Sequence, residues 1–206
     1  MAEKKTLTLT DELFIGKGGH QAAYIHPDDP TKCVKIAFDP NDGDVKKELR
    51  YRRICEDKLA RSKLVTKFYG RVDTDKGEGL VFERVIDYDG RPSLDLKDFI
   101  PSEPTPEQLQ TIRALLLDFK REFLDEGIAI VDTDITNFMV QRVSPSEMRM
   151  RIVDNIGTPV LIPLVYYSEW IARRKAKRVW NTLANWLREH YPAVVDESFY
   201  GELRSS

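Results

Sequence analysis

The chain reads as an α+β protein whose strands gather in the N-terminal part and whose helices gather in the C-terminal part. Three observations carry that reading. Short apolar runs broken by Gly, Asp and Pro turns fill the stretch up to Ile86, a long amphipathic pattern with a capping signature starts at Thr105, and a second such pattern runs towards His190. Between Leu13 and Ile36 the runs LFIG, AAYIH and KCVKI are separated by GKGGHQ and PDDPT, which predicts two hairpins built from three strands. The segment DVKKELRYRRI then predicts a helix with Asp44 as its N-cap. KLVTKFYGRV and GLVFERVI, separated by DTDKGE, supply two more strands. The expected N-terminal unit, residues 1–86, is a five-stranded antiparallel sheet with one helix.

The linker-like DYDGRPS opens the second unit, residues 87–206, and LDLKDFI follows as a short helix. Thr105, Pro106 and Gln108 have the N-cap, N1 and N3 chemistry of a capping box, and Leu109, Ile112, Leu116, Phe119 and Phe123 follow at helical spacing to an exit at Gly127. Ile128 to Val131 reads as a buried strand. NFMVQRV and MRMRIVD around SPSE predict a hairpin ending at Asp154, and a last helix from Ser168 to His190 carries Trp170, Val179, Leu183 and Leu187. This unit is expected to be small and mostly helical.

Composition narrows the function classes. The 206 residues carry 32 Lys and Arg against 34 Asp and Glu, a formal charge of −2, which points away from a nucleic-acid partner. Cys33 and Cys55 form no C-x-x-C pattern and read as reduced thiols, so a cytoplasmic setting is expected. MAEKKTLTLT lacks the apolar core of a secretory signal. The longest apolar run, Val160 to Tyr167, falls short of the ~20 residues a membrane helix needs, and no membrane association is expected.

The stretch IAIVDTDITNFMV, from Ile128 to Val140, places carboxylates, hydroxyls and an amide among apolar residues, where polar groups are costly without a task. It fits two kinds of phosphoryl chemistry. As D-x-D-x-T it resembles the first motif of haloacid-dehalogenase phosphatases, with Asp132 as nucleophile and Asp134 as acid/base; that fold needs a doubly wound parallel sheet and several βαβ units after the motif. As D-x-x-x-x-N it matches the catalytic loop of a protein-kinase-like fold. The order of the other pieces favours the second. Gly16, Gly18 and Gly19 in a hairpin let backbone N–H groups approach phosphates. Lys35 lies between Val34 and Ile36 on a strand, and Glu48 lies one turn inside the first helix, where it could pair with Lys35 and aim the ammonium at phosphate rather than serve the unliganded fold. Asp132 would take the acceptor hydroxyl proton, Asn137 and Asp154 would hold Mg2+ or Mn2+, and Glu83 to Val85 would meet the adenine through backbone groups. Each piece has an ordinary explanation, a tight turn, a solvent-facing lysine or a commonplace helix glutamate; five in the right chain order argue for a minimal protein-kinase-like fold that binds ATP.

With those residues placed, the chain resembles the bacterial YrbL family, kinase-like proteins of the PhoP regulatory network. The resemblance rests on the glycine hairpin, KCVKI, KKELRYRR, FYGRV, SLDLKDF, the D-x-x-x-x-N region, VDNIG followed by LIPL, and the Ser-x-Trp that opens the last helix. It implies the compact kinase-like fold without naming a substrate. Several positions depart from protein kinases: Gln21 replaces the third glycine, Ile130 and Val131 precede the loop aspartate in place of His-Arg, Asp134 stands where a lysine is common, and Asn155 and Ile156 replace Phe-Gly, with Gly157 one residue late. Without that arginine, control through activation-loop phosphorylation is not expected. About fifty residues follow Asp154, too few for a usual activation segment and large substrate-binding helices. The run RRKAKR, Arg173 to Arg178, reads as a solvated helix face. Two functions stay open: an ATP- and Mg2+-dependent phosphotransferase with a protein or small-molecule acceptor, and a catalytically weak kinase-like regulator that binds nucleotide or a partner protein.

Overall fold

The computed structural model describes residues 6–158 and 168–205. Strands β1 (Phe14–Lys17), β2 (Gln21–His26), β3 (Asp29–Ala37), β4 (Phe68–Thr74) and β5 (Gly77–Glu83) form one antiparallel sheet in the order β1-β2-β3-β5-β4. Period-two alternation sorts its side chains. Val34, Ile36 and Val81 pack with Leu7 and Leu9 on one face, while Cys33, Leu80 and Phe82 meet Val45, Leu49 and Phe68 on the other. Leu7 also bridges Thr74, so a short N-terminal segment closes the first face. The second face receives helix α1 (Gly43–Ile54), which is followed after Cys55 by a short helix α2 (Glu56–Arg61).

The C-terminal part is a small sheet, β6 (Leu94–Asp95), β7 (Phe138–Arg142) and β8 (Met148–Ile152), among helices α3 (Leu96–Phe99), α4 (Pro106–Glu126), α5 (Glu169–His190) and α6 (Glu197–Arg204). The capping box at Thr105 forms as its residue types require, and α4 ends at Gly127 with φ 56°, a conformation that favours glycine. Phe119 and Phe123 of α4 stack on each other, and Phe119 also meets Phe138 and Trp180. This is the expected α+β architecture.

Some local expectations shift. The N-cap of α1 is Asp42, not Asp44: its Oδ1 accepts from the Asp44 and Val45 N–H groups at 2.8 and 3.1 Å. The strand expected from Lys63 begins only at Phe68, because Leu64 and Val65 are buried in the helical core, where Ile152 N–H donates to the Leu64 carbonyl at 2.7 Å. Ile128–Val131 is buried over its first three residues yet forms no ladder; it makes a single bridge, Ile130 to Ile156. Helix α6 was not anticipated from its short pattern, and it is held by buried Phe199 and Leu203 and by the Trp180 indole, which donates to the Leu203 carbonyl at 2.7 Å. In RRKAKR, Ala176 belongs to the core and Lys175 is half-buried, so that face is only partly solvated. No helix among the described residues is long and apolar enough to cross a membrane; the run Val160 to Tyr167, with the LIPL segment inside it, lies outside those residues.

The DYDGRPS segment is pinned rather than loose. Asp87 accepts from the Ser93 hydroxyl at 2.6 Å, from the Arg142 N–H at 3.0 Å and from Arg142 Nε at 2.6 Å. Burial works against this carboxylate, but those three donors outweigh it and hold its pKa below the usual range. A depressed carboxyl adds stability above its unfolded pKa that fades as pH falls through the folded value. Asp87→Asn should therefore destabilise the protein by ~2 kcal/mol at pH 7, and urea titrations should show the wild-type advantage shrinking below about pH 4.

Candidate active site

Lys35 projects from the centre of β3 onto the α1 face of the sheet and is buried. An ammonium there needs partners. Its Nζ donates to the Val153 carbonyl at 2.8 Å, pairs with Asp154 Oδ2 at 3.1 Å and lies 4.9 Å from the Phe82 ring centre. The strand lysine and the aspartate after the β7–β8 hairpin, 119 positions apart by number (154 minus 35), thus meet directly. Across the sheet, Gly16 pairs with Ala23 and Ala23 with Lys35, so the glycine hairpin continues the row that ends on the lysine.

Glu48 is also buried, but its ion pair is with Arg52 one turn on, at 2.8 Å, rather than with Lys35 as expected. The i,i+4 spacing makes that partner local, and the Asp154 carboxylate satisfies the lysine from the opposite side. Arg52 Nη1 further donates to the Thr66 carbonyl at 2.9 Å, and its guanidinium covers Phe82. Burial pushes the Glu48 carboxyl up. Burial also opposes the Asp154 charge, yet the Lys35 ammonium, a hydrogen bond from Glu48 and the Asn155 N–H hold Asp154 below the ordinary range. Lys35 is held above its ordinary value in spite of burial, by the charges of Asp154 and Glu48. Two acids thus lie between the cations Lys35 and Arg52, with burial pushing Glu48 up and the Lys35 charge drawing Asp154 down.

The loop below is set by backbone contacts. The Val131 N–H donates to Asn155 at 2.8 Å and the Val153 N–H to the Asn137 carbonyl at 3.0 Å, which fixes Asp132 and Asn137 on the segments beside Asp154. Asp132 is exposed, and its Oδ1 accepts from the Asp134 N–H at 3.2 Å. Asp134 accepts from the Thr136 N–H and hydroxyl at 2.9 and 2.7 Å, the work of a turn cap rather than of an acid/base. Asn137 Nδ2 is buried without a hydrogen-bond partner among the described residues. Asn155 has φ 58°, and its N–H closes on Asp154 Oδ1 at 3.0 Å.

Above, the hairpin tip is closed by Gly18 N–H to the Gln21 carbonyl at 2.9 Å, and His20 is tied to Asp42 at 2.7 Å, which raises the imidazole pKa. A Cβ built on Gly16, Gly18 or Gly19 would meet nothing within 4 Å, and none of the three has positive φ. Neither packing nor backbone conformation demands glycine at these positions. At the far end of β5, Glu83 accepts from the Lys67 N–H at 3.0 Å and from Arg151 at 2.8 Å, while Val85 is buried.

A family model described as PhoP regulatory network protein YrbL matches residues 7–188. The YrbL proteins of Escherichia coli K12 and Shigella flexneri are each 33% identical to this chain over 177 residues, 84% of both partners' lengths. The chain belongs to the YrbL family. Among solved structures, Rad53 1–466 superposes with a TM-score of 0.55 at 17% identity over 95% of this chain, which spans 51% of that chain's length. The fold of this YrbL-family chain is thus kinase-like, and the phosphatase interpretation, which needs a doubly wound parallel sheet, does not survive the antiparallel topology.

Residues outside the sequence-derived set also border the site. Arg52 was legible as the i+4 neighbour of Glu48. Lys175 of α5 had no sequence signal; its Nζ lies 3.4 Å from the Gly157 carbonyl, and burial with the Arg178 charge pushes its pKa down to about 8. Between about 8 and the ordinary 10.5 the folded state binds fewer protons than the unfolded one, so this group makes stability rise with pH across that window. Lys175→Met should remove that component, read as a smaller gain in urea midpoint between pH 7.5 and pH 10. Lys35 should matter without any ligand, because breaking a buried pair strands its partner: Lys35→Ala should lower apo stability by ~3 kcal/mol in urea unfolding. An unchanged midpoint would show that the pair contributes nothing to the resting fold.

Proposed function

We propose that this YrbL-family protein is an ATP- and Mg2+-dependent phosphotransferase acting on a hydroxyl acceptor, with residues 1–86 and 87–206 as lobes on either side of the nucleotide. The observation that carries the proposal is the contact of Lys35 with Asp154 at 3.1 Å beneath a hairpin whose glycines have open space above them. Phosphoryl transfer asks for positioning and charge neutralisation, and that arrangement provides both. The N–H groups around Gly16, Gly18 and Gly19 would line the phosphates, Lys35 would neutralise them, and the backbone from Glu83 to Val85 would meet the adenine. Asp132, exposed beside this centre, would accept the proton of the acceptor hydroxyl. The Rad53 structure that shares the fold is a complex with AMP-PNP, which supports a nucleotide in the corresponding cleft.

The donor set also fits Mg2+ or Mn2+. Asp154 supplies a carboxylate, Asn137 an amide oxygen, and the unpartnered Asn137 Nδ2 marks a side chain not committed to the fold. The ion would neutralise phosphate charge when bound. Glu48, paired to Arg52, would steady Asp154 and Lys35 from behind. The buried thiols of Cys33 and Cys55 suit a reducing cytoplasm, where ATP is supplied. The resting pairing, with Lys35 on Asp154 and Glu48 on Arg52, favours one second reading: a regulator that binds nucleotide and turns it over slowly.

Purified protein with labelled ATP and Mg2+ tests both. ATP with Mg2+ at a hundredfold excess over Kd should add about 2.7 kcal/mol of stability and raise Tm. Asp154→Ala should abolish that gain; Asp132→Asn should keep it and cut phosphoryl transfer at least a hundredfold, on the scale of ~10²–10⁴ for a general base; Asp134→Asn should alter both least. A melting curve indifferent to millimolar ATP rejects the proposal, and binding without transfer selects the regulator.

A further inference from the structure

A large cavity lies outside the candidate active site. It is a groove of 770 Å³ on the outer side of α1, between that helix, α2 and strand β4. Its walls are basic. Lys46, Arg50 and Arg53 recur along one face of α1, and Lys67 and Arg71 face them from the edge of the sheet, with Glu56 as the lone acid among the lining residues. Arg71 is occupied by Glu78, but Arg50, Arg53 and the Lys67 ammonium have no ion-pair partner among the described residues. In a chain whose formal charge is −2, such a concentration is local rather than a property of the whole surface.

The floor of the groove is apolar. Leu49 and Phe68 are half-buried, Leu59 is buried, and Tyr69 stands 51% exposed at the rim. Strand β4 ends the sheet, and among the described residues only its far end is covered, by Leu7 at Thr74. The outer edge of residues 68–72 thus offers main-chain groups beside the basic wall, the geometry that accepts an added strand.

We propose that this groove docks an acidic, extended segment of a partner protein, which lays its backbone along the β4 edge, sets carboxylates on Arg50, Arg53 and Lys67, and buries one phenyl-sized side chain against Leu49 and Phe68. Charge complementarity selects acid, and the apolar floor of Leu49, Leu59 and Phe68 selects an apolar anchor. A polynucleotide would use the cations and leave the apolar floor unfilled. Arg52, whose guanidinium lines the groove and pairs with Glu48, leaves the docked segment one side chain from the candidate active site. Docking in this groove needs no bound nucleotide.

The test is a fluorescence-anisotropy titration of the full chain, without nucleotide, using a labelled peptide Glu-Asp-Glu-Phe-Glu-Asp-Glu. Saturable binding is expected, at least tenfold weaker for the same peptide with Ser in place of Phe, and at least tenfold weaker for Arg50→Ala/Arg53→Ala, two exposed substitutions whose unchanged Tm confirms folding. No binding, equal binding of the Phe and Ser peptides, or equal binding to the double variant overturns the proposal. So does displacement of the peptide by a single-stranded oligonucleotide of equal charge at lower concentration, which would mark the groove as a general polyanion surface. Inorganic phosphate at the same charge concentration should compete poorly; full competition would reduce the site to an anion site and reject a peptide partner.

Discussion

Lys35 cannot be buried alone. Taking its ammonium out of water obliges the fold to bring an oxygen and a negative charge to it, and both arrive from the other half of the chain, the Val153 carbonyl and the Asp154 carboxylate. The requirement propagates. Asp154 is held where it is by its own contact to Asn155, by the Val153 N–H on Asn137 and by the bridge of Ile130 to Ile156. Sheet, hairpin and loop meet around one cation.

The second constraint comes from α1. A buried Glu48 and a half-buried Asp154 face two buried cations, and their surroundings pull the two carboxyls apart: burial pushes Glu48 up, while for Asp154 the Lys35 charge outweighs the same penalty. Arg52 shares Glu48 and stacks on Phe82, so the back of the helix and the front of the site depend on the same side chain. A movement of α1 that released Glu48 from Arg52 would change the charge around Lys35 without any movement of the sheet.

The glycine hairpin obeys a different logic. Its tip is fastened by the pair His20 to Asp42 and by the Phe38 N–H on the His20 carbonyl, yet its glycines face open space. Glycine costs conformational entropy on folding, roughly 0.5–1 kcal/mol relative to alanine in a strand or helix. Three of them at positions that need no special backbone angle leave the main chain open to the close approach that the proposed nucleotide needs.

Much of this was already in the amino-acid order. The hairpin runs, the Thr105 capping box, the exit at Gly127 and the sequence of Gly16, Lys35, Glu48, Asp132, Asn137 and Asp154 are local patterns, and local patterns are governed by turn chemistry and periodicity that each segment carries by itself. The i,i+4 relation of Glu48 to Arg52 was equally readable. What the sequence left undecided were choices between partners far apart in the chain. Leu64 and Val65 could have extended a strand, and the burial of the helical core claimed them instead. The sequence paired Lys35 with Glu48, yet Asp154 took it instead, and Lys175 had no reason to approach Gly157 until α5 was packed. Those outcomes depend on which groups lose their water together, and only the tertiary structure brings the competing groups within reach of one another.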